Sequence, residues 1–143
     1  MAQDYDKIIK ENLAGMIPAL LDKLLHVRLR TFTLLTLDIQ STLERRPDFL
    51  LLAQEEGSDA EHILQIEFQS SNDSEMALRL LEYRALLMRK YRKPVRQYVC
   101  YFGNEPMQMP NELRDSDLFF RYHLLDLQTF DYRLFIDAPA PRW

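Results

Sequence analysis

The sequence contains a single cysteine, Cys100, and only three glycines among its 143 residues. One thiol cannot form a disulfide within the chain, which excludes a disulfide-stapled domain and fits a reducing cytoplasm. So few glycines argue against an architecture built mainly of loops and turns. The first residues are acidic and polar, unlike the apolar core of a secretory signal. We therefore expect a cytoplasmic protein.

Long apolar runs are also missing, because no stretch reaches the roughly 18–20 residues that a membrane-spanning helix needs. No glycine-rich phosphate loop is present, and His26, His62 and His123 show no zinc-ligand spacing. The formal net charge is −4, whereas a nonspecific nucleic-acid binder is usually basic. We expect neither a membrane partner nor a zinc site, and any nucleic-acid surface must be local.

The chain has the composition and length of one globular domain, residues 1–143. Hydrophobic residues make up 47% and charged residues 28% of the sequence. Residues 4–27 carry apolar side chains at helical spacing, and Gly15 and Pro18 are expected to divide them into two helices. Residues 74–92 give the clearest helical pattern.

Strands are predicted in several short apolar runs. Residues 47–54 and 61–69 flank a polar, turn-like segment and should pair as a hairpin. Residues 95–102 follow the helix of 74–92, so their strand should run parallel to that of 61–69 through a right-handed crossover. The other segments are a partly alternating edge strand at 28–34, a polar loop at 104–117 and a further strand at 118–127. The expected fold is α/β, or α+β, with a mixed central β-sheet flanked by helices.

Acidic and amide side chains interrupt both strands of the predicted hairpin. Asp48 precedes one apolar run, while Glu67 and Gln69 share a face of the other because strand side chains alternate. Pairing would bring the three together, and such oxygen donors can hold a hard divalent cation, Mg²⁺. The structural alternative for Asp48 is a hydrogen bond to a backbone amide. For Glu67, it is a salt bridge to Arg79 or Arg84.

Pro47-Asp48 followed by Glu67-Phe68-Gln69 resembles the PD-(D/E)XK nuclease signature. In form it is most similar to the recombination-promoting nuclease family, also described as transposase-like, in which Gln often replaces the usual Lys. The resemblance covers roughly residues 4–137 and implies a restriction-endonuclease-like core. It also implies a DNA endonuclease that uses Mg²⁺, with Mn²⁺ as an alternative ion. Family members often carry additional C-terminal sequence, so this chain could be part of a longer protein.

The resemblance implies a role for each residue of the motif. Asp48 and Glu67 would bind the metal ion, and the carbonyl of Phe68 could supply a further oxygen. Gln69 stands where the superfamily usually has lysine; a neutral amide can orient water but brings no positive charge. Glu11 could match an acid that many members carry in the first helix, and its alternative is a solvated helix residue.

The helix at 74–92 becomes basic along its length, which makes Arg79 and Arg84 the candidate DNA contacts. The alternative is a solvated helix face on which arginines pair with Glu75 and Glu82. A homodimer fits the nuclease hypothesis, since cutting both DNA strands usually needs two sites. The acidic net charge and the missing lysine prompt a second hypothesis. It is a nuclease-like fold that serves as a binding or assembly module without catalysis.

Overall fold

A computed structural model describes residues 15–35 and 47–129 of the chain. In chain order its elements are α1 (Ile17–Leu25), β1 (Leu29–Leu34), β2 (Phe49–Glu55), β3 (Glu61–Gln69), α2 (Met76–Tyr91), β4 (Val95–Tyr101), β5 (Glu112–Arg114), β6 (Phe119–Arg121), β7 (His123–Asp126) and a 3-10 turn at Leu127–Thr129. Neither of the described helices has the length and apolar character needed to cross a membrane.

Five strands form one mixed sheet in the order β1-β2-β3-β4-β7. The β1–β2 and β2–β3 pairs are antiparallel, while the β3–β4 and β4–β7 pairs are parallel. The predicted hairpin, the parallel pairing of β4 with β3 and the edge position of β1 are therefore confirmed. Strands β5 and β6 form a separate antiparallel hairpin. The fold is α+β with a mixed central sheet, an arrangement compatible with a restriction-endonuclease-like core.

The two helices pack on opposite faces of the sheet, because alternate strand residues enter two different apolar clusters. Helix α1 joins the cluster that contains Leu51, Leu64 and Ile66. Helix α2 and the β5–β6 hairpin join the cluster that contains Leu50 and Ile63. The consecutive residues Leu50 and Leu51 thus enter different cores, as expected of a strand that is buried on both faces. We call these surfaces the α1 face and the α2 face.

Each helix has a residue that explains one of its bounds. Pro18 lies in the first turn of α1, where its missing N–H costs no hydrogen bond, and the helix begins at Ile17. Residues 4–14, the first of the two helices predicted there, lie outside the described residues. Helix α2 ends at Tyr91, and the capping residue Arg92 adopts a left-handed conformation two residues before Pro94. The predicted apolar stripe of α2 is buried at Met76, Leu80, Tyr83 and Leu87.

The prediction of one strand at 118–127 is wrong, because these residues form two strands in different sheets. Strand β6 pairs with β5, whereas β7 pairs with β4 in the central sheet. Tyr122 separates them: its side chain is buried, and its hydroxyl donates to the carbonyl of Pro110 at 2.7 Å. The predicted loop at 104–117 is likewise interrupted by β5. Because the residue between the two strands is a buried aromatic, the sequence pattern looks like one continuous strand.

Candidate functional site

The β2–β3 hairpin brings Asp48 and Glu67 together at its open end. Its register pairs Phe49 with Ile66, and one further step of that register places Asp48 opposite Glu67. The Asp48 amide donates a hydrogen bond to Glu67 Oε2 at 2.5 Å. The Phe68 amide donates one to Asp48 Oδ2 at 2.8 Å. Each carboxylate is therefore held by the backbone of the opposite strand.

The structure shows the predicted acidic pair and also the alternative role of Asp48, which was a hydrogen bond to a backbone amide. One oxygen of Asp48 accepts a backbone amide, and so does one oxygen of Glu67. Glu67 is only 1% exposed, and burial of a carboxylate is costly unless hydrogen bonds or charges compensate it. The two carboxylates thus connect the strands in addition to any chemistry they perform.

The donor atoms at this end of the hairpin suit a hard cation. The N–H and C=O of one strand residue point to the same side, so the carbonyl of Phe68 faces Asp48, as its amide does. Asp48, Glu67 and this carbonyl are all oxygen donors, which Mg²⁺ prefers. No group of three or more His, Cys, Asp or Glu side chains within the described ranges could hold a metal ion. Mg²⁺ fits a site with two carboxylates, because it keeps several of its waters.

Gln65, Glu67 and Gln69 form a polar row on the α2 face of β3, and all three are buried. Gln97 on β4 lies beside Gln65 and donates to its Oε1 at 2.8 Å. The same Nε2 of Gln97 donates to the carbonyl of Leu80 in α2 at 2.6 Å. Sequence reasoning missed Gln65 and Gln97, although both interrupt apolar strands as Glu67 does. They attach α2 to the sheet next to the acidic pair.

Gln69 ends β3 and lies on the same face as Glu67, as predicted. It pairs with Tyr101 in the register of β3 and β4, and its carbonyl accepts the Phe102 amide at 2.9 Å. Its side chain is 8% exposed. Gln69 therefore lies at the rim of the polar row, and its role in orienting water stays a prediction.

Arg79 pairs with Asp73, not with Glu67. Arg79 Nη1 lies 2.6 Å from Asp73 Oδ2, and Asp73 Oδ1 accepts the Glu75 amide at 2.9 Å. Arg79 Nη2 is buried and has no hydrogen-bond partner within residues 15–35 and 47–129. The pairing of Asp73 with Arg79 has no periodic signal in the sequence. This ion pair fixes the segment that leads from β3 into α2.

The remaining candidates are Arg84 and Glu11. Arg84 is half-buried on α2, where burial lowers the pKa of its guanidinium. It follows Arg79 by five residues and so lies about 140° around the helix axis from it. Glu11, the proposed first-helix acid, lies outside the described residues. The two arginines therefore lie on different sides of α2.

A loop at residues 102–111 borders the carboxyl ends of β3 and β4. Both polar atoms of the Asn72 side chain bond this loop: Nδ2 donates to the carbonyl of Pro106 at 3.0 Å, and Oδ1 accepts the Gln108 amide at 2.7 Å. Asn72 thus joins the segment between β3 and α2 to this loop. The loop is therefore fixed beside the polar row.

The resemblance to PD-(D/E)XK nucleases stays a prediction from the sequence. The structure shows that the hairpin brings the carboxylates of Asp48 and Glu67 together. Comparison of the chain with protein-family models, with curated proteins and with solved structures finds no match.

Proposed function

We propose that the chain is a DNA endonuclease that hydrolyses phosphodiester bonds with the help of Mg²⁺, or alternatively Mn²⁺. The observation that carries the proposal is the reciprocal contact of Asp48 and Glu67 with each other's strand. Two paired strands hold both carboxylates in place before any ligand arrives, which is what a site for a hard cation needs. Asp48, Glu67 and the Phe68 carbonyl would hold the ion.

The chain's own residues must place the phosphodiester and the attacking water. Mg²⁺, when bound, polarises the phosphate and lowers the pKa of water. Gln69 can orient that water through its amide, but it cannot stabilise negative charge as lysine does. Arg79 and Arg84 are the proposed DNA contacts nearest the start of α2. Exposed basic residues lie further along the same helix, at Arg89, Lys90 and Arg92.

A plasmid-nicking assay tests the catalytic proposal. Asp48→Asn and Glu67→Gln keep an acceptor oxygen for the backbone amides, so they should preserve the hairpin. Each should slow nicking by at least about 100-fold, because a neutral side chain binds the ion poorly. Asp59→Asn and Glu61→Gln neutralise exposed carboxylates at the other end of the hairpin and should keep the wild-type rate. Wild-type nicking rates in Asp48→Asn and Glu67→Gln would reject the assignment.

A homodimer is part of the same proposal, since cleavage of both DNA strands usually needs two sites. Sedimentation of the protein with a DNA duplex should give the mass of two chains, and plasmid should be converted to a linear product. If the protein is a monomer and produces only nicked circles, the dimer is rejected and the catalytic assignment stands.

The competing function is a nuclease-like fold that binds or assembles without catalysis. Two observations support it. One oxygen of Asp48 and one of Glu67 already accept backbone hydrogen bonds within the hairpin, and Gln69 lacks a charge. Titration calorimetry with Mg²⁺ and Mn²⁺ separates the two functions. Ion binding that Asp48→Asn and Glu67→Gln abolish supports the endonuclease, whereas an absence of carboxylate-dependent binding supports the scaffold.

A further inference from the structure

A second polar cluster begins with Glu55 and His62 at the closed end of the hairpin and continues across the sheet to Arg96, Tyr98 and His123. The strand registers place all five residues on the α1 face. The candidate functional site lies at the open end of the hairpin and on the α2 face, so the two sites are separate. We call this group the Arg96 cluster.

Arg96 crosses a strand to reach its partner. It lies on β4 and its Nη1 bonds Glu55 Oε1 on β2, although β3 runs between these strands. His62 lies on that intervening strand and on the same face, so the ion pair passes over it. This cover explains why His62 is only 7% exposed near the end of its strand.

The aromatic residues of the cluster continue the surface beside Arg96. Burial raises the pKa of Tyr98, and the positive charge of the neighbouring Arg96 opposes that shift. The ring of Tyr98 stacks on that of His123, with centroids 4.8 Å apart and planes inclined by 21°. Arg121 follows closely enough that its charge helps to lower the pKa of His123, after the larger effect of burial. The charge of Arg96 thus acts on both imidazoles of the cluster, those of His62 and His123.

One polar atom of the cluster is left unsatisfied. His62 Nε2 is buried and has no hydrogen-bond partner in the part of the chain that the structure describes. An unsatisfied buried polar group destabilises the folded state. The side chains of Arg96 and Glu55 are 46% and 34% exposed, and ion pairs between such exposed groups contribute little stability. A ligand that bonds His62 Nε2 can therefore replace the Glu55 carboxylate beside Arg96 at little cost in free energy.

We propose that the Arg96 cluster binds a phosphate group and that the Glu55 carboxylate takes its place in the free protein. A carboxylate has two oxygens, both directed toward one partner, whereas a phosphate has oxygens in several directions. A phosphate can therefore accept two parallel hydrogen bonds from the Arg96 guanidinium and a further one from His62 Nε2. The group could belong to a free phosphate ion or to the backbone of a nucleic acid, because both present the same oxygens.

Titration of inorganic phosphate into the full chain tests the proposal through the imidazole NMR signals of His62. We expect a saturable shift of those signals. Arg96→Gln should weaken binding by at least about tenfold, and Glu55→Gln should tighten it by about tenfold because a competing carboxylate is gone. Arg114→Gln and Glu112→Gln disrupt a matched exposed ion pair in the β5–β6 hairpin and should leave binding unchanged.

Three results would overturn the proposal. They are an unmoved His62 signal, equal weakening by Arg96→Gln and Arg114→Gln, and a failure of Glu55→Gln to tighten binding. The last variant guards against misfolding, since a damaged protein loses affinity and does not gain it. A short oligonucleotide then identifies the source of the phosphate. Displacement of phosphate by the oligonucleotide assigns the site to nucleic acid, and persistence of phosphate assigns it to the free ion.

Discussion

Asp48 and Glu67 are joined through the backbone, since the Asp48 amide donates to Glu67 Oε2 while Asp48 Oδ2 accepts the amide of Phe68. The carboxylates therefore close the open end of the β2–β3 hairpin. Loss of activity in a variant of either residue could come from lost chemistry or from a loosened hairpin. Stability measurements on conservative and truncating variants separate the two causes.

Asp48→Ala should lower the free energy of unfolding by about 1–3 kcal/mol, because the part-buried Phe68 amide loses its acceptor. Asp48→Asn keeps a carbonyl oxygen at that position and should cost clearly less. Urea unfolding followed by circular dichroism measures both. Asp59→Ala, at an exposed position, is the control and should change stability little. Equal costs for Asp48→Ala and Asp48→Asn would show that the hydrogen bond to Phe68 contributes nothing.

Gly103→Ala should destabilise the protein by about 1–3 kcal/mol through steric overlap. A methyl group at Gly103 would lie 2.5 Å from the carbonyl oxygen of Ser70 and still nearer the Tyr101 hydroxyl. Because a backbone oxygen cannot rotate away, the loop at 102–111 must shift. Gly15→Ala is the control, since no atom of the described residues lies within 4 Å of its added methyl group. A thermal scan in which both variants melt together would contradict this packing.

The Gln65–Gln97 pair predicts a non-additive mutant cycle. Gln97→Met removes the donor to Gln65 and to the Leu80 carbonyl and leaves the Gln65 amide buried without that partner. We expect a loss of about 1–3 kcal/mol for either single Met variant. The double variant should recover part of this loss, because apolar side chains of similar shape replace both amides. Simple addition of the two losses, measured by urea unfolding, would refute the coupling.

Much of the fold follows from patterns that one chain segment carries alone. Apolar residues at successive positions, such as Leu50 and Leu51, indicate a strand buried on both faces, and a polar segment between two runs indicates a hairpin. The buried position of Cys100 follows in the same way from its apolar strand, where burial raises the pKa of the thiol to about 12. The candidate acidic pair was predictable because the hairpin register follows from the two strands.

Contacts between segments without periodicity could not be predicted. Arg79 could pair with any nearby acid, and the choice of Asp73 depends on the path of the chain between β3 and α2. The reach of Arg96 across β3 to Glu55 depends likewise on the order of strands in the sheet. Such pairs are set by tertiary geometry, which alternating or helical spacing does not encode.

The free energy of unfolding should fall as the pH is lowered from about 7.5 to about 5, and His62 should contribute to the fall. Burial, and then the positive charge of Arg96, lower the pKa of His62 below its ordinary value of 6.5, against a smaller opposing effect of Glu55. The unfolded chain therefore binds a proton at a pH where the folded chain does not, so acid favours unfolding. Above 6.5 both states are neutral at His62 and this contribution to the slope vanishes.

His62→Gln should flatten the dependence of unfolding free energy on pH, because the titrating group is gone. Arg96→Gln should flatten it in part, since it removes the second cause of the shift and leaves Glu55 to favour the protonated imidazole. Arg30→Gln removes an exposed arginine that pairs with Asp59 instead and should leave the slope as it is. Urea unfolding at a series of pH values measures each slope. A wild-type slope in His62→Gln would mean that other groups cause the whole acid sensitivity.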